Sequence, residues 1–138
     1  MQTRIRLVHC DTLSCEPILR RTPDGNLLCV SQCGDVYEPA PGNRVYAFSS
    51  RDGGESWSAP SLLHPETGEA VYCCEVMVLD GEVHAFLEVH SGRFLNMRCV
   101  HMRSVDSGAT WQRVGPSPGF PTFCFIRGML PLPNGEIA

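Results

Sequence analysis

"SSRDGGESW", residues 49 to 57, sets two carboxylates, two adjacent glycines and a tryptophan within nine positions. Such a stretch serves as a metal loop, as a pair of catalytic acids or as a turn. A second stretch, "RSVDSGATW" at residues 103 to 111, decides between them. Ser50, Asp52, Gly54, Ser56 and Trp57 match Ser104, Asp106, Gly108, Thr110 and Trp111 at the same internal spacing, but Ala109 stands where the first copy has Glu55. A calcium loop needs oxygen ligands at alternating positions with a late bidentate carboxylate, and a feature lost between copies does not define the motif. The turn is the remaining role. Its aspartate accepts hydrogen bonds from backbone N–H groups a few residues on, a glycine supplies positive φ, and Ser or Thr ties the loop across. The tryptophan is thereby anchored where it can bury its ring.

Asp52 and Asp106 lie 54 residues apart, and a second series shares that period. "PDGNLL" (23–28), "LDGEVHAF" (79–86) and "PNGEIA" (133–138) place Gly25, Gly81 and Gly135 at separations of 56 and 54. Between these punctuation marks run "NLLCVSQ", "NRVYAFSS", "EVMVLD", "EVHAFLEVH" and "FLNMRCVHMRS". They alternate or are continuously apolar over about four to eight residues, and no stretch sustains a helical period for three turns. Asp-Gly and Asn-Gly suit hairpins because type I′ turns need positive φ at both central positions. One unit therefore reads strand, hairpin, strand, variable loop, strand, Ser-x-Asp turn, strand.

Repeats of this length, with several strands each, are the pattern of propeller blades, whose small sheets need neighbours to bury their faces. The expected fold is all-β, with four-stranded antiparallel blades forming a partial β-propeller over residues 1–138. Blade 1 is expected at about 14–60, blade 2 at about 70–115 and the start of blade 3 at about 122–138. Propellers close with about four to eight blades. The remaining blades are expected from the rest of a longer chain or from self-association.

Composition narrows the function classes. A hydrophobic fraction of 43% and a net charge of −4 describe a globular chain, and its eleven basic residues are scattered rather than clustered as phosphate binding requires. No nucleic-acid partner is expected. No run approaches the ~20 apolar residues of a membrane span, and the start lacks the apolar core of a signal peptide, so a cytoplasmic chain without membrane contact is expected. The eight cysteines form no C-x-x-C pair and are expected as thiols, with no metal or cofactor. His84, Glu88 and His90 alternate along one strand face, a spacing open to a metal but also shown by any half-buried sheet.

At the level of family, "SSRDGGESW" and "SVDSGATW" resemble the Asp boxes, or BNR repeats, of the sialidase-like β-propellers, and the Asp-Gly hairpins before them fit the first half of each blade of that family. The resemblance implies that the boxes sit on an outer rim, away from a central funnel formed by first-strand starts and by loops between second and third strands. It implies a glycoside hydrolase acting on a carbohydrate, or a noncatalytic propeller that binds a glycan or protein. Sialidases begin with an Arg-Ile-Pro element whose arginine grips the substrate carboxylate. Aligning its proline with Pro17 puts Cys15 in that arginine's place, and a thiol offers no bidentate grip. A sugar other than ordinary sialic acid is the corresponding expectation.

By the same resemblance, the catalytic carboxylates are sought on the loop "CGDVYEPAPG", which offers Asp35 and Glu38, and at first-strand starts, which offer Glu16 and Glu75. Glycosidases place two carboxyl groups roughly 5 to 9.5 Å apart across the scissile bond. Arg127 occupies the comparable place in the third unit and is expected to hold an anionic group, with Tyr37 and Arg93 as further substrate contacts. A solvated loop position or exposed strand end is the competing role for each acid.

Overall fold

The computed structural model describes residues 4–65, 68–116 and 128–138. Eight strands build two four-stranded sheets, and no helix occurs among the described residues. The first sheet contains β1 (Ser14–Arg21), β2 (Leu27–Cys33), β3 (Arg44–Ser50) and β4 (Ser61–Leu62). The second contains β5 (Ala70–Leu79), β6 (Glu82–His90), β7 (Arg98–Ser104) and β8 (Gln112–Pro116). In each, strand order follows the chain and every pairing is antiparallel, so the chain is all-β as its patterning predicts.

The two first-strand hairpins differ. Asp80 and Gly81 both have positive φ, at 51° and 80°, and join the closing pair Leu79 and Glu82 as a two-residue turn of the primed kind. At Asp24-Gly25 the glycine alone is left-handed. The connection is longer there, closed by Thr22 N–H donating to Asn26 C=O and Gly25 N–H to Thr22 C=O. The shared Asp-Gly pair thus supports two loop geometries, because aspartate can either adopt positive φ or cap the turn through its side chain.

The sheets pack face to face. Val30, Val45 and Ala47 of the first meet Val71, Val76, Ala85, Leu87 and Met102 of the second in one continuous buried cluster. Each aliphatic side chain removed from water there contributes about 1.5–3 kcal/mol against the entropy of ordering the chain. The outer face of the first sheet buries Cys29, Cys33 and Phe48 with Trp57 and Val8 against them, and that of the second buries Tyr72, Met77 and Phe86.

Both Ser-x-Asp turns close in the same way. Ser50 Oγ donates to Asp52 Oδ1 and accepts from Gly54 N–H, both at 2.8 Å, while Ser56 donates through its N–H and hydroxyl to the two carboxylate oxygens at 2.9 and 2.5 Å. Ser104, Asp106, Gly108 and Thr110 reproduce all four bonds at 2.6 to 2.8 Å. The carboxyls of Asp52 and Asp106 are held at about 2, chiefly by the bonds from Ser56 and Thr110. Glu55, absent from the second copy, instead accepts from Arg6 Nη2 at 2.6 Å on the surface. Trp57 and Trp111 are both half-buried; Trp111 packs on the inter-sheet core, and its indole N–H has no acceptor among the described residues.

Candidate functional site

The Asp-Gly hairpins and the Ser-x-Asp turns share one end of each meander, so the strand starts and the β2–β3 and β6–β7 loops gather at the other. The sheets are joined at this end, where Val71 N–H donates to Asn43 C=O at 3.1 Å. A local irregularity opens the site. Pro17 has no N–H to give the β1–β2 ladder, and the register passes from Cys15 opposite Gln32 directly to Ile18 opposite Val30. The bulge puts Glu16 at a φ of 49°, and Ser31 Oγ ties it by donating to Cys15 C=O at 2.7 Å.

From that bulge Glu16 reaches the start of β5, where its carboxylate accepts from the Tyr72 hydroxyl. Cys15 Sγ donates to Glu38 Oε2 at 3.6 Å. Its thiol is pushed up to about 11, first by burial, then by the charge and hydrogen bond of Glu38 and by the charge of Glu16. Two of the expected carboxylates, one from a strand start and one from the loop, thus bear on one thiol. Tyr72 lies 56 residues after Glu16, one repeat period. Equivalent positions of consecutive units therefore touch, a signal that the spacing of the repeat already contained.

Glu38 is presented by a loop with its own scaffold. Asn43 Oδ1 accepts from Ala40 N–H at 2.7 Å while its Nδ2 donates to the carbonyls of Gly34 and Tyr37 at 2.9 and 3.1 Å. Asp35 spends both carboxylate oxygens on the same loop, accepting from Val36 N–H at 2.9 Å and Gly42 N–H at 3.2 Å. The β6–β7 loop backs it: a Cβ on Gly92 would stand 2.6 Å from Pro41 N, so the two loops fit at backbone contact. Phe94 of that second loop lies edge-on to Tyr72, with ring centroids 6.5 Å apart.

Glu75 has a different fate. A second register shift, between Cys73 and Glu75, turns its carboxylate toward the first sheet. There Oε1 accepts from Arg20 Nη2 at 2.5 Å and from Val76 N–H at 2.8 Å, while Arg20 Nε donates to Val76 C=O at 2.6 Å. Glu16, Pro17, Arg20, Cys73 and Glu75 line an open cleft of about 320 Å³, so Glu75 borders the same space as Glu16 but as one half of an inter-sheet ion pair. Tyr37 and Arg93 are exposed, the former at 60%. Arg127 lies outside the described residues.

His84, Glu88 and His90 do share a face of β6, but each has its own partner. His84 Nδ1 meets His101 Nε2 at 2.9 Å, Glu88 Oε1 accepts from Cys99 Sγ at 2.6 Å, and His90 Nδ1 accepts from Gly92 N–H at 3.1 Å. Burial lowers all three histidines and favours neutral rings. Among the described residues no group of three or more His, Cys, Asp or Glu is arranged to hold a metal ion.

No family model and no curated protein matches the chain. Among solved structures it is similar to a crystal structure of a protein of unknown function from Dyadobacter fermentans, at a TM-score of 0.53 and 24% identity over 86% of this chain. The chain spans 31% of that neighbour's length. At that identity the likeness concerns the fold alone.

Proposed function

We propose that the chain is part of a sialidase-like, Asp-box β-propeller and that its cleft acts on a glycan as a glycoside hydrolase. The observation that carries the reading is the convergence of Glu16 and Glu38 on Cys15, at the end of the sheets opposite to both Ser-x-Asp turns. Glycoside hydrolysis needs one carboxyl group to protonate the leaving oxygen and a second to act as nucleophile or base. Glu38, half-buried beside a thiol, suits the proton donor; Glu16, exposed and bonded by Tyr72, suits the second role. Asp35 is committed to its own loop and Glu75 to Arg20, so Glu16 and Glu38 are the two of the four expected acids that bear on the shared thiol. The remaining sheets would come from a longer chain or from further copies.

A noncatalytic glycan-binding propeller is the second reading. It is favoured by the same loss of Asp35 and Glu75 from the pool of acids and by a thiol in the place of a carboxylate-gripping arginine. Assaying the full chain against a panel of aryl glycosides separates the two. Glu38→Gln and Glu16→Gln are each expected to lower turnover by about 10² or more, the usual contribution of a positioned acid or base. Absence of turnover on every sugar, with glycan binding intact, would sink the hydrolase and leave the binder.

A further inference from the structure

The next-to-last residue of β2 is a side chain that the alternation of its strand would make apolar. Gln32 is 1% exposed, and neither its amide oxygen nor its amide nitrogen has a hydrogen-bond partner among the described residues. Asn43, wholly buried at the same end, shows how this fold treats a structural amide: its oxygen and nitrogen are satisfied by three backbone groups. A buried amide left bare gives up its hydrogen bonds to water with no replacement, whereas methionine or leucine would simply extend the apolar face of Val30 and Val45. A glutamine at this position therefore calls for a partner from outside those residues.

Its placement indicates which partner. Gln32 pairs directly with Cys15 on one side and Val45 on the other, and opposed residues of an antiparallel pair share a face with Cβ atoms about 4.5–5.5 Å apart. Cys15 is the residue whose thiol meets Glu38 and whose neighbour is Glu16. The strand partner of Gln32 is thus the residue that bears on both carboxylates. That cysteine has one rotatable side-chain bond and only a weak S–H contact of 3.6 Å to hold it, so it moves aside at little cost.

We propose that Gln32 reads the ligand of the cleft and selects a neutral sugar, its amide oxygen accepting from one ring hydroxyl and its amide nitrogen donating to the adjacent one. Resting on the glycan reading above, this adds the class of sugar. A carboxylate only accepts, so it would leave the amide oxygen bare, and it would face the charge of Glu16.

Titration of the full chain with methyl glycosides of glucose, galactose and N-acetylglucosamine, with methyl glucuronide as the anionic control, tests the assignment. At least one neutral glycoside is expected to bind and to shift the side-chain amide resonances of Gln32. Gln32→Met is expected to raise Kd by about tenfold or more while Tm stays level or rises, because a bare polar group has been removed. Neutral binding with unmoved Gln32 amide resonances, or an unchanged Kd in the variant, overturns the assignment and leaves the glycan reading standing. Binding of the glucuronide alone overturns the neutral class. Binding of no glycoside overturns the glycan reading itself. Should the variant not fold, the amide resonances of the unaltered chain decide the question.

Discussion

Asp52 and Asp106 each hold a turn through three accepted hydrogen bonds, and their carboxyls sit at about 2 against an ordinary value of 3.8. A carboxyl depressed in the folded state stabilises above its unfolded value and loses that contribution as pH falls toward its folded one. Stability should therefore decline between about pH 4 and pH 2 as the two turns release. Asp106→Ala is expected to cost on the order of 1 kcal/mol at neutral pH, as loss of a capping side chain does. The variant should also lose less than the parent on acidification, which thermal melts at pH 6 and pH 2.5 would show; a parallel decline in both would contradict the role given to Asp106. Cys15 supplies a second check. With its thiol at about 11, roughly one molecule in a thousand is thiolate at pH 8. Alkylation by iodoacetamide should reach exposed Cys10 long before Cys15, and Glu38→Gln should speed labelling of Cys15 by removing the nearest negative charge. Equal rates at Cys15 in both proteins would mean that thiol and carboxylate do not meet in solution.

At the scale of elements, β2, β3, β6 and β7 were legible as short alternating or apolar runs, because their inner faces are buried against the other sheet and much of their outer faces is buried as well. β1 was legible from the repeat rather than from its own pattern, since Pro17 and the bulge break its alternation. β4, two residues after Pro60, leaves no periodic signal at all. The same limit applies to the site. Glu16 and Glu38 could be placed from their positions in the repeat, but the pairing of Glu75 with Arg20 spans 55 residues and depends on a bulge that no local pattern announces. That pairing is testable as an element-joining contact. Glu75 is 8% exposed and Arg20 37%, so Arg20→Met should cost about 2–3 kcal/mol, less than a fully buried pair would lose. Adding Glu75→Gln should recover much of it; a double variant as unstable as the single one would argue against a simple charge pair. Gly92→Ala probes the two loops. Its φ of +84° and the Pro41 backbone at 2.6 Å both oppose a Cβ, and a loss of about 2 kcal/mol or more is expected, with Phe94 displaced from Tyr72.

For the molecule as a whole, the arrangement of the two sheets says how they should unfold. Leu28 of the first sheet lies where a Cβ on Gly108 would come within 2.9 Å, so the second Ser-x-Asp turn is seated on the first sheet's core. The buried cluster that contains Leu28 runs without a break through β2, β3, β5, β6 and β7. Neither sheet can thus lose its packing without exposing the inner face of the other. The two tryptophans report on different parts of this arrangement, Trp57 on the outer cluster with Phe48 and Trp111 on the inter-sheet core. Single-tryptophan variants, Trp57→Phe and Trp111→Phe, should therefore give denaturation curves that coincide when each is also followed by far-ultraviolet circular dichroism, as one cooperative transition requires. Leu28→Ala, at a cost of about 2–5 kcal/mol, should move both tryptophan signals together. If Trp57 instead melts first, with Trp111 and the β signal unmoved, the outer face of the first sheet is a separate unit whose stability must come from whatever packs upon it.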